Sequence, residues 1–442
     1  MKINTSPISG TQELLPAEQA IFNNLKETIA KSYHDHGYLD IETPSIERTE
    51  VLLAKAGGET EKQIYKVTKT SEPTNNPTEA LRFDHTVPLA RYVIEHENGL
   101  TFPFKVSQIG LNFRGERAQK GRFREFYQCD IDIIGREHLS LAYDADVIST
   151  LLDTIQSFQL DTPILARISN RKILTGLLEH LNLSDQITEI CSIIDHADKV
   201  TPEQTKVSLE ELGLDKSTVE QVINLINLNG PRSEVITTLN NLDINNETFT
   251  EGIADLDQIL YLLESMQLQH QITADLKIIR GLDYYTGTVF EFILPDYPNI
   301  GSVAGGGRYD NLTQYFSNKS FPGVGGSIGL TRLFYVLNEH SLLEHTDHLL
   351  DYAIVPVSEH EYDESFNVAN KLRAKGHSAT VVLIDKKLND KMSYASKVAN
   401  YGIVIGEAEI ASNVLQVKNF TTGDTIELNL KVDSNPEDFW AN

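Results

Sequence analysis

Residues 113–132 read FRGERAQKGRFREFYQCDID, and this stretch predicts the central element of the fold. Its first part, residues 114–124, contains four arginines and one lysine. Strand-like apolar runs stand on both sides, VSQIGLNF before it and FYQCDIDII after it. Two such runs joined by a polar segment are typical of a β-hairpin, and clustered basic residues at its tip are typical of a surface that contacts a polyanion. The sequence therefore predicts a hairpin with a basic loop.

The second strand of this hairpin carries a row of polar side chains. Because side chains alternate between the two faces of a strand, Gln128, Asp130 and Asp132 point to the same side. Arg114 lies at the end of the first strand rather than at the tip of the loop, and Phe126 follows the loop. A solvated charged loop would explain the basic run by itself. The fixed cation, the aromatic side chain and the polar row together favour a nucleotide bound beside a small polar substrate.

The same stretch resembles motif 2 of the class II aminoacyl-tRNA synthetases. In that motif an aromatic residue, an arginine and a glutamate open a hairpin, and a phenylalanine and an acidic residue close it. The matching positions here are Phe113, Arg114, Glu116, Phe126 and Asp130. The sequence AQKGRFREFYQCDID resembles, more specifically, the corresponding stretch of the histidyl-tRNA synthetase family.

Length and composition place the chain among globular proteins of two or three domains. It has 442 residues, of which 40% are hydrophobic and 23% charged. The two cysteines, Cys129 and Cys191, argue against a disulfide framework and fit a reducing cytosol, and neither stands in a zinc-type cluster. No apolar run reaches about 18 residues, and the first residues lack an apolar signal core. We therefore expect a cytoplasmic protein with no membrane span and no metal site.

The net charge of −25 argues against non-specific binding to nucleic acid. It leaves room for specific binding by a local basic patch on an acidic body, and residues 114–124 form such a patch. A tRNA partner is therefore predicted from that patch and from the resemblance, not from the bulk charge.

A second stretch strengthens the resemblance. Residues 276–295 read LKIIRGLDYYTGTVFEFILP, and GGGRYD follows at 305–310. The strings RGLDYYTGTVFE and GGGRYD closely resemble those of histidyl-tRNA synthetases. The apolar pair Ile278 and Ile279 and the run at 289–293 predict two strands that flank a turn. The glycines at 305–307 allow close approach of a ligand to the backbone.

Two further segments resemble parts of the same family. Asp84 and Thr86 stand just before a predicted helix, where a carboxylate caps the helix or accepts bonds from a substrate ammonium, and the resemblance favours the substrate role. His85 between them stands where leucine is usual, so we expect local packing or substrate access to differ. Residues 323–333, GVGGSIGLTRL, resemble motif 3, with Arg332 near a helix start that favours anions. Gly326 stands where an aromatic is common, which predicts a looser adenine side of the pocket.

The order of the predicted elements gives the domain organisation. We expect an α+β catalytic core of the class II synthetase type, an antiparallel sheet flanked by helices, over residues 1–335, with a helical insertion at about 178–265. A linker at 336–350 leads to an α/β unit at 351–442, which resembles an anticodon-binding domain. The segment YLDIETPSIE at 38–47 resembles motif 1, which implies a homodimer. In the last unit four lysines lie on or near a helix that faces either RNA phosphates or solvent: Lys386, Lys387, Lys391 and Lys397.

The resemblance implies the substrates ATP with Mg²⁺, L-histidine and tRNA(His), and it implies a role for each candidate residue. The catalytic pair, on either side of the α-phosphate and the substrate carboxylate, is Arg114 and Arg280. The further nucleotide-binding residues are Glu116, Arg122, Phe126 and Arg332. The histidine-binding residues are Asp84, Thr86, Gln128, Asp132, Arg280, Tyr284 and Tyr285, of which Asp132 and Tyr285 are expected to take the two imidazole nitrogens. The residues near the acceptor end of tRNA are Arg117, Gln119 and Lys120.

Two other classes of function remain open from the sequence. One is a catalytically silent paralogue of the synthetase, such as the regulatory subunit of ATP phosphoribosyltransferase. The other is a non-enzymatic module that binds RNA on the same fold. The first class usually lacks the C-terminal domain and the motif arginines, both of which this chain keeps, and the second would not need Asp132, Arg280 and Tyr285 together. The sequence therefore favours the ligase.

Overall fold

The computed structural model describes residues 3–54, 58–71, 73–74, 77–195, 197, 200–279, 284–343, 350–412 and 414–429. The chain divides into two compact units, one of residues 1–13 and 24–343 and the other of residues 14–23 and 344–442. Each unit contains a sheet of its own. Among the described residues no helix combines the length and the apolar character that a membrane crossing requires.

A nine-stranded sheet forms the centre of the first unit. Its strands, in chain order, are β1 (Leu39–Asp40), β5 (Phe104–Phe113), β6 (Glu125–Ile134), β7 (Leu165–Asn170), β8 (Asn229–Gly230), β9 (Ile272–Asp275), β10 (Thr288–Ile293), β11 (Ala304–Tyr309) and β12 (Gly323–Ile328). Their spatial order is β1-β5-β6-β12-β11-β10-β7-β9-β8. A separate small sheet contains β2 (Ile46–Arg48), β3 (Lys66–Val67) and β4 (Glu79–Leu81).

The predicted antiparallel core is confirmed for six neighbouring strands, which lie in the spatial order β5-β6-β12-β11-β10-β7. Two pairs nearer the edges, β1 with β5 and β7 with β9, are parallel, so the whole sheet is mixed. Parallel neighbours need a long crossover connection, and the chain between β7 and β9 supplies one in the form of several helices.

The predicted hairpin is formed by β5 and β6, which are in register from Phe104 opposite Ile134 to Phe113 opposite Glu125. A predicted strand at Ile278 and Ile279 is wrong, since the neighbouring strand is β9, a few residues earlier. Both isoleucines are buried. A short apolar run is buried whether or not it pairs in a sheet, so the pattern does not separate the two cases.

Helices cover the sheet of the first unit. Outside the insertion they are the part of α1 (Pro16–Asp35) from residue 24 onward, α2 (Thr49–Leu53), α3 (Gly58–Gln63), α4 (Thr86–His96), α5 (Ala142–Gln156) and α12 (Leu330–Glu339). The hydroxyl of Tyr33 on α1 donates to the carbonyl of Cys129 on β6, at 2.8 Å. Leu151 on α5 lies so close to Gly326 on β12 that a Cβ there would be 2.6 Å from the leucine Cδ1. Both helices are therefore held against the central strands.

The predicted helical insertion is confirmed between β7 and β9. Its helices are α6 (Arg171–His180), α7 (Ile187–Asp195), α8 (Pro202–Glu211), α9 (Lys216–Ile226), α10 (Arg232–Asn240) and α11 (Glu247–Ser265). Thr201 and Gln204 form a capping box at the start of α8, a motif that satisfies two of the free N–H groups of a helix end. A Cβ at Gly176 would lie 2.3 Å from the backbone nitrogen of Phe249, so α6 and α11 cross in direct backbone contact.

The second unit contains a five-stranded mixed sheet with helices, which confirms the predicted α/β class. Its elements are β13 (Leu350–Pro356), α13 (Tyr362–Ala374), β14 (Ala379–Val381), α14 (Leu388–Val398), β15 (Ala399–Ile405), α15 (Glu407–Ser412), β16 (Val414–Asn419) and β17 (Thr425–Asn429), in the sheet order β14-β13-β15-β16-β17. Of the four lysines predicted to face phosphates or solvent, Lys391 is buried, and its Nζ donates to the carbonyl of Pro356 at 2.9 Å. Lys386, Lys387 and Lys397 are exposed.

Candidate active site

Two adjoining cavities of about 300 and 90 Å³ lie on the central sheet. The larger one is bordered by the hairpin loop, β6, β10 to β12 and the start of α12. The smaller one is bordered by β6, β11, β12 and the residues around the start of α4. Four residues line both cavities: Arg114, Gln128, Gly305 and Ser327. Molecules bound in the two cavities would therefore meet at these residues.

Arg114 is held in a fixed position at the boundary between the cavities. Its Nε donates to the carbonyl of Phe83 at 3.2 Å, and its Nη2 donates to Oε1 of Gln128 at 3.4 Å. The guanidinium also lies over two aromatic rings, 4.4 Å from the centroid of Phe83 and 5.1 Å from that of Phe126. An arginine placed in this way can present donors to an anion without first being ordered.

The larger cavity contains all five residues predicted to bind ATP, namely Arg114, Glu116, Arg122, Phe126 and Arg332. Arg122 Nη1 lies 3.2 Å from Oε2 of Glu116, across the hairpin loop. Arg332 is the third residue of α12, and its Nη2 donates to the carbonyl of Ile300. The cavity is thus lined by cations near a helix start and by an aromatic ring, which suits a nucleoside polyphosphate.

The smaller cavity contains six residues predicted to bind histidine: Asp84, Thr86, Gln128, Asp132, Tyr284 and Tyr285. The hydroxyl of Tyr309 on β11 donates to Oδ1 of Asp132 at 2.7 Å. The ring of Tyr284 packs edge-to-face against those of Tyr285 and Tyr309, with centroids 5.0 and 5.9 Å away. Three tyrosine rings therefore enclose one side of the cavity, with a carboxylate at its end.

Burial dominates the electrostatics of the smaller cavity. Burial, and then the charge of Asp130, raise the pKa of Asp132 to about 8, against an opposing hydrogen bond from Tyr309. Burial likewise raises the pKa of Asp84, although the N–H of Val87 and the charge of Arg114 act in the other direction. The three carboxylates Asp84, Asp130 and Asp132 thus share one dry site, where a positively charged ligand group would relieve their repulsion.

The alternative role of Asp84, as a helix cap, is present in the structure. Its Oδ1 accepts a hydrogen bond from the backbone N–H of Val87 at 3.0 Å, in the first turn of α4. The same side chain lines the smaller cavity. Capping and substrate binding are therefore compatible, because a carboxylate can accept several hydrogen bonds.

A chain of polar contacts runs beneath the boundary of the cavities. Gln128 accepts from Nδ2 of Asn112 and donates its Nε2 to Oγ of Ser327, both at 2.9 Å. The Ser327 hydroxyl donates to Oδ1 of Asp130. The other carboxylate oxygen of Asp130 lies 3.2 Å from Nδ1 of His85, so the chain ends on a buried imidazole.

The three residues predicted to contact tRNA lie on the hairpin loop, with exposed side chains, and line neither cavity: Arg117, Gln119 and Lys120. Backbone pairing of Gln119 with Arg122 closes the tip of the loop. Lys120 Nζ lies 2.7 Å from Oε1 of Glu339, at the end of α12. The remaining predicted site residue, Arg280, lies outside the described residues.

The structure corrects the interpretation of Gly326. A Cβ at this position would lie 2.6 Å from Leu151 and 3.0 Å from Phe290, on the face of the sheet that α5 covers. Gly326 lines the smaller cavity, and it is not among the described residues that line the larger one. The glycine therefore makes room for core packing and does not widen the adenine side of the site.

Three polar residues that line the cavities are not among the predicted site residues: Tyr309, Ser327 and Glu291. Tyr309 belongs to the string GGGRYD and Ser327 to the string GVGGSIG, but neither was given a role, although both strings were selected. Glu291 lies in the string RGLDYYTGTVFE and lines the larger cavity. Alternation along β10 was the signal that could have identified Glu291, since Phe290 and Phe292 on either side of it are buried.

The fold and these cavities are of the class II aminoacyl-tRNA synthetase type, and comparisons with known proteins narrow the class. A family model for histidyl-tRNA synthetase matches residues 10–333, and one for an anticodon binding domain matches residues 351–433. The curated histidine–tRNA ligase of Clostridium tetani is 45% identical over 433 residues, 97% of each chain. The crystal structure of histidyl-tRNA synthetase from Nostoc sp. PCC 7120 superposes with a TM-score of 0.85, at 35% identity and 97% coverage of both chains. The chain belongs to the histidyl-tRNA synthetase family, whose members are ligases that use ATP to join histidine to tRNA.

A third comparison shows how little the fold alone decides. A structure from Bacillus halodurans, described as an ATP phosphoribosyltransferase regulatory subunit/histidyl-tRNA synthetase, matches with a TM-score of 0.75. It is 21% identical and covers 92% of this chain and 100% of its own. The ligase assignment therefore rests on sequence identity over the whole length and not on the shape of the sheet.

Proposed function

We propose that this chain activates L-histidine with ATP in the two adjoining cavities and transfers it to the 3′ end of tRNA(His). The observation that carries this assignment is the boundary between the cavities, where Arg114 and Gln128 line both. ATP in the larger cavity and histidine in the smaller one would place the α-phosphate and the amino-acid carboxylate on either side of Arg114.

The first step needs electrostatic help more than acid–base chemistry. The attacking carboxylate is already ionised near neutral pH, because carboxylates titrate near pH 4. Two anions must then approach, and negative charge develops on the phosphate oxygens. Arg114 and Arg280 are proposed to hold nucleophile and phosphate together and to offset this charge, a role that fits arginine because it stays protonated.

The other residues of the larger cavity are proposed to bind the remainder of ATP. Arg332 and Arg122 would hold the β- and γ-phosphates, Phe126 would stack on adenine, and Glu116 would accept from its edge. The contact between Arg122 and Glu116, at 3.2 Å, supports this scheme, because both side chains already face the cavity. The nucleotide would exchange a half-exposed ion pair for bonds to its own groups.

Mg²⁺ is proposed to enter with ATP as part of the substrate. The described residues contain no group of three or more histidine, cysteine or acidic side chains able to hold a metal alone. Two carboxylates, Glu116 and Glu291, line the larger cavity. That donor set fits Mg²⁺, which is commonly bound by one or two carboxylates together with substrate phosphates. The ion would neutralise phosphate charge.

The smaller cavity is proposed to select histidine by hydrogen bonds to its ring and its amino group. Asp132 and Tyr285 would take the two imidazole nitrogens, and Asp84, Thr86 and Gln128 would hold the amino group and carboxylate. Tyr284 would form the wall behind the ring. A buried polar site of this kind rejects amino acids without a ring donor, since its own groups would be left unpaired.

The RNA partner, the assembly and the location follow from other parts of the chain. Arg117, Gln119 and Lys120 on the exposed loop are proposed to contact the acceptor end of tRNA(His), and the second unit its anticodon. A homodimer is proposed because Leu39 and Ile46, in the segment that resembles motif 1, are 60% and 51% exposed. Both cysteines are free, which fits the proposed cytoplasmic location.

Histidine-dependent exchange between ATP and pyrophosphate, followed by charging of tRNA(His), tests this function. The ligase should exchange pyrophosphate when histidine is present and not when other amino acids replace it. A regulatory paralogue or an RNA-binding module should show no exchange with histidine. Exchange without transfer to tRNA(His) would support the proposed activation step and contradict the proposed role of tRNA(His) as the acceptor.

A further inference from the structure

His85 is buried completely beside the smaller cavity, without lining it. Its Nδ1 lies 3.2 Å from Oδ2 of Asp130, and both side chains are more than nine-tenths buried. The contact is within ion-pair distance, but its angles are not those of a hydrogen bond, and neither ring nitrogen has a hydrogen-bond partner among the described residues. A buried imidazole in this state needs an explanation, because unpaired buried polar groups are costly.

The backbone around His85 is shaped to admit its ring. Opposite it on β5 stands Gly110, where a Cβ would lie 3.3 Å from His85 Nε2 and 2.5 Å from Nη2 of Arg82. Gly110 pairs with Gln128 across the hairpin, and Gln108 pairs with Asp130. A side chain at position 110 would displace the imidazole or the guanidinium, so the glycine keeps both groups beneath the polar face of β6.

The charges that face His85 come from two elements, β6 and the segment before α4. Asp130 on β6 is the nearest, Asp84 precedes α4, and Arg82 lies just before it in the same segment. Arg114 from the hairpin acts on Asp84 as well. The charge of Asp130 opposes ionisation of both Asp84 and Asp132. An imidazole with Nδ1 3.2 Å from Oδ2 of Asp130 therefore lies where it can orient that carboxylate.

The contacts beyond Asp130 lead to the substrate. Its Oδ1 accepts from Ser327, whose hydroxyl accepts from Nε2 of Gln128 at 2.9 Å. With that amide so oriented, Gln128 Oε1 faces Arg114 Nη2 at 3.4 Å. We propose that His85 is a positioning residue for substrate histidine: it holds the carboxylate of Asp130, and through Ser327 it fixes the orientation of the Gln128 amide against Arg114. This inference rests on the histidine pocket proposed above.

A double-mutant cycle between His85→Leu and Asp130→Asn tests the proposal. Leucine has a volume close to that of histidine and removes both ring nitrogens, so we expect the fold to be kept. His85→Leu should raise the KM for histidine in pyrophosphate exchange by about three- to tenfold, in the range of coupled buried neighbours. The KM for ATP should change little. With Asn at position 130, the same substitution should have little further effect.

His85→Asn and His96→Leu complete the experiment. The asparagine amide can place a donor near the position of Nδ1, so His85→Asn should recover part of the loss. His96 is exposed near the end of α4, and its change to leucine should leave both KM values unaltered. Thermal unfolding checks the fold of each variant. If the leucine variant does not fold, the double-mutant cycle is measured with His85→Asn and Asp130→Asn instead.

The positioning role would be overturned if His85→Leu raised the KM for histidine by the same factor with Asp and with Asn at position 130. An equal rise in the KM values for histidine and ATP would also overturn it. An unchanged KM for histidine would do so too. Asp132→Ala separates this failure from failure of the pocket itself. If Asp132→Ala raises the KM for histidine and His85→Leu does not, the pocket is right and the role of His85 is wrong. If neither changes it, histidine binds elsewhere.

Discussion

The larger cavity contains a partly exposed ion pair, whereas the smaller one buries three carboxylates almost completely. The side chains of Arg122 and Glu116 are 43% and 23% exposed. Asp84, Asp130 and Asp132 are each at most 5% exposed. Ion pairs near the surface contribute about 0–1 kcal/mol, so a nucleotide can replace them at little cost. Buried carboxylates instead demand a ligand with matching donors.

This difference separates two tasks that one site must perform. The larger cavity, if it binds ATP as proposed, must take up a common nucleotide and release its products, which suits contacts that open and close easily. The smaller cavity, if it binds histidine as proposed, must accept one amino acid and refuse the others, which suits groups that have little access to water as a substitute partner. Substitutions in the two cavities should therefore change different kinetic constants, and the boundary between them should change the rate itself.

Arg280→Ala is expected to have the strongest effect, because the proposed role of Arg280 concerns the transition state and not the binding of either substrate. Removal of one preorganised donor costs about 10²–10³ in rate. Pyrophosphate exchange should fall by at least that factor, with much smaller changes in the KM values for ATP and histidine. Arg280→His should not restore the rate at any pH, since no base is required. A loss confined to binding would contradict the assignment.

Asp132→Ala should affect the smaller cavity alone. It removes the buried hydrogen-bond partner proposed for the histidine ring, and leaving a buried polar group unpaired costs about 1–3 kcal/mol. The KM for histidine in pyrophosphate exchange should rise at least about tenfold, while the KM for ATP stays nearly constant. Asp153→Ala, at an exposed position on α5, is the matched control. Equal losses for both substrates would mean that Asp132 supports the fold of both cavities.

Charge changes on the hairpin loop should leave both cavities intact and alter the use of tRNA. Lys120→Glu should weaken aminoacylation several-fold more than adenylate formation, because it repels phosphates, and Arg117→Glu should act in the same direction. Glu339→Gln should have the opposite effect, a lower KM for tRNA, since it releases Lys120 from a contact of 2.7 Å. The wild-type KM for tRNA should rise with salt. A KM that is insensitive to salt would argue against phosphate contacts.

The pH dependence of stability should also distinguish the buried carboxylates from the exposed ion pairs. This effect should be smaller than the kinetic effects described above. The pKa of Asp132 is raised from 3.8 to about 8 in the folded chain. Between these values the folded state binds more protons than the unfolded state, so this group lowers the free energy of unfolding as the pH rises. Asp132→Asn removes this pH-dependent decrease in the free energy of unfolding, and its amide oxygen still accepts a hydrogen bond from Tyr309. The melting temperature of the variant relative to wild type should therefore increase from about pH 5 to about pH 8 and then level off, as measured by calorimetry.

Asp146→Asn is the control for this measurement, because Asp146 is partly exposed and pairs at 2.8 Å with Lys105, an amine that keeps its charge over this pH range. Its difference in melting temperature from the wild type should not grow over the same pH range. A flat difference for Asp132→Asn as well would show that the carboxyl of Asp132 ionises normally in the folded state.

The parts of the site that lie close together along one strand could be predicted from the sequence. Strand alternation placed Gln128, Asp130 and Asp132 on one face, and the order of residues in the hairpin placed Arg114 before them. The partners from other strands could not be predicted in this way. Ser327 is opposite Asp130 because β12 pairs with β6 in a particular register, and that register depends on contacts between distant segments.

The wrong predictions have the same physical origin. Whether Gly326 faces the ligand or the core depends on the parity of β12, and a run of glycines shows no apolar–polar alternation that would reveal it. Lys391 seemed to belong with its exposed neighbours, but its amine bonds to the carbonyl of Pro356, a residue 35 positions earlier. Composition and local spacing describe what a residue could do, and long-range packing decides which face it occupies.

Glycine on β12 has a consequence for how this enzyme could change during evolution. A Cβ at Gly325 would lie 2.0 Å from Oδ1 of Asp132, and one at Gly323 would lie 2.3 Å from the ring of Tyr309. The floor of the smaller cavity is therefore made of bare backbone, and even the smallest substitution there would displace Asp132 or Tyr309, which line that cavity. A lineage that drifted toward another amino acid could not begin on this strand. It would have to begin with the side chains that reach across the strand, such as Asp132 and Tyr285. The glycines of β12 would then be kept while the specificity changed.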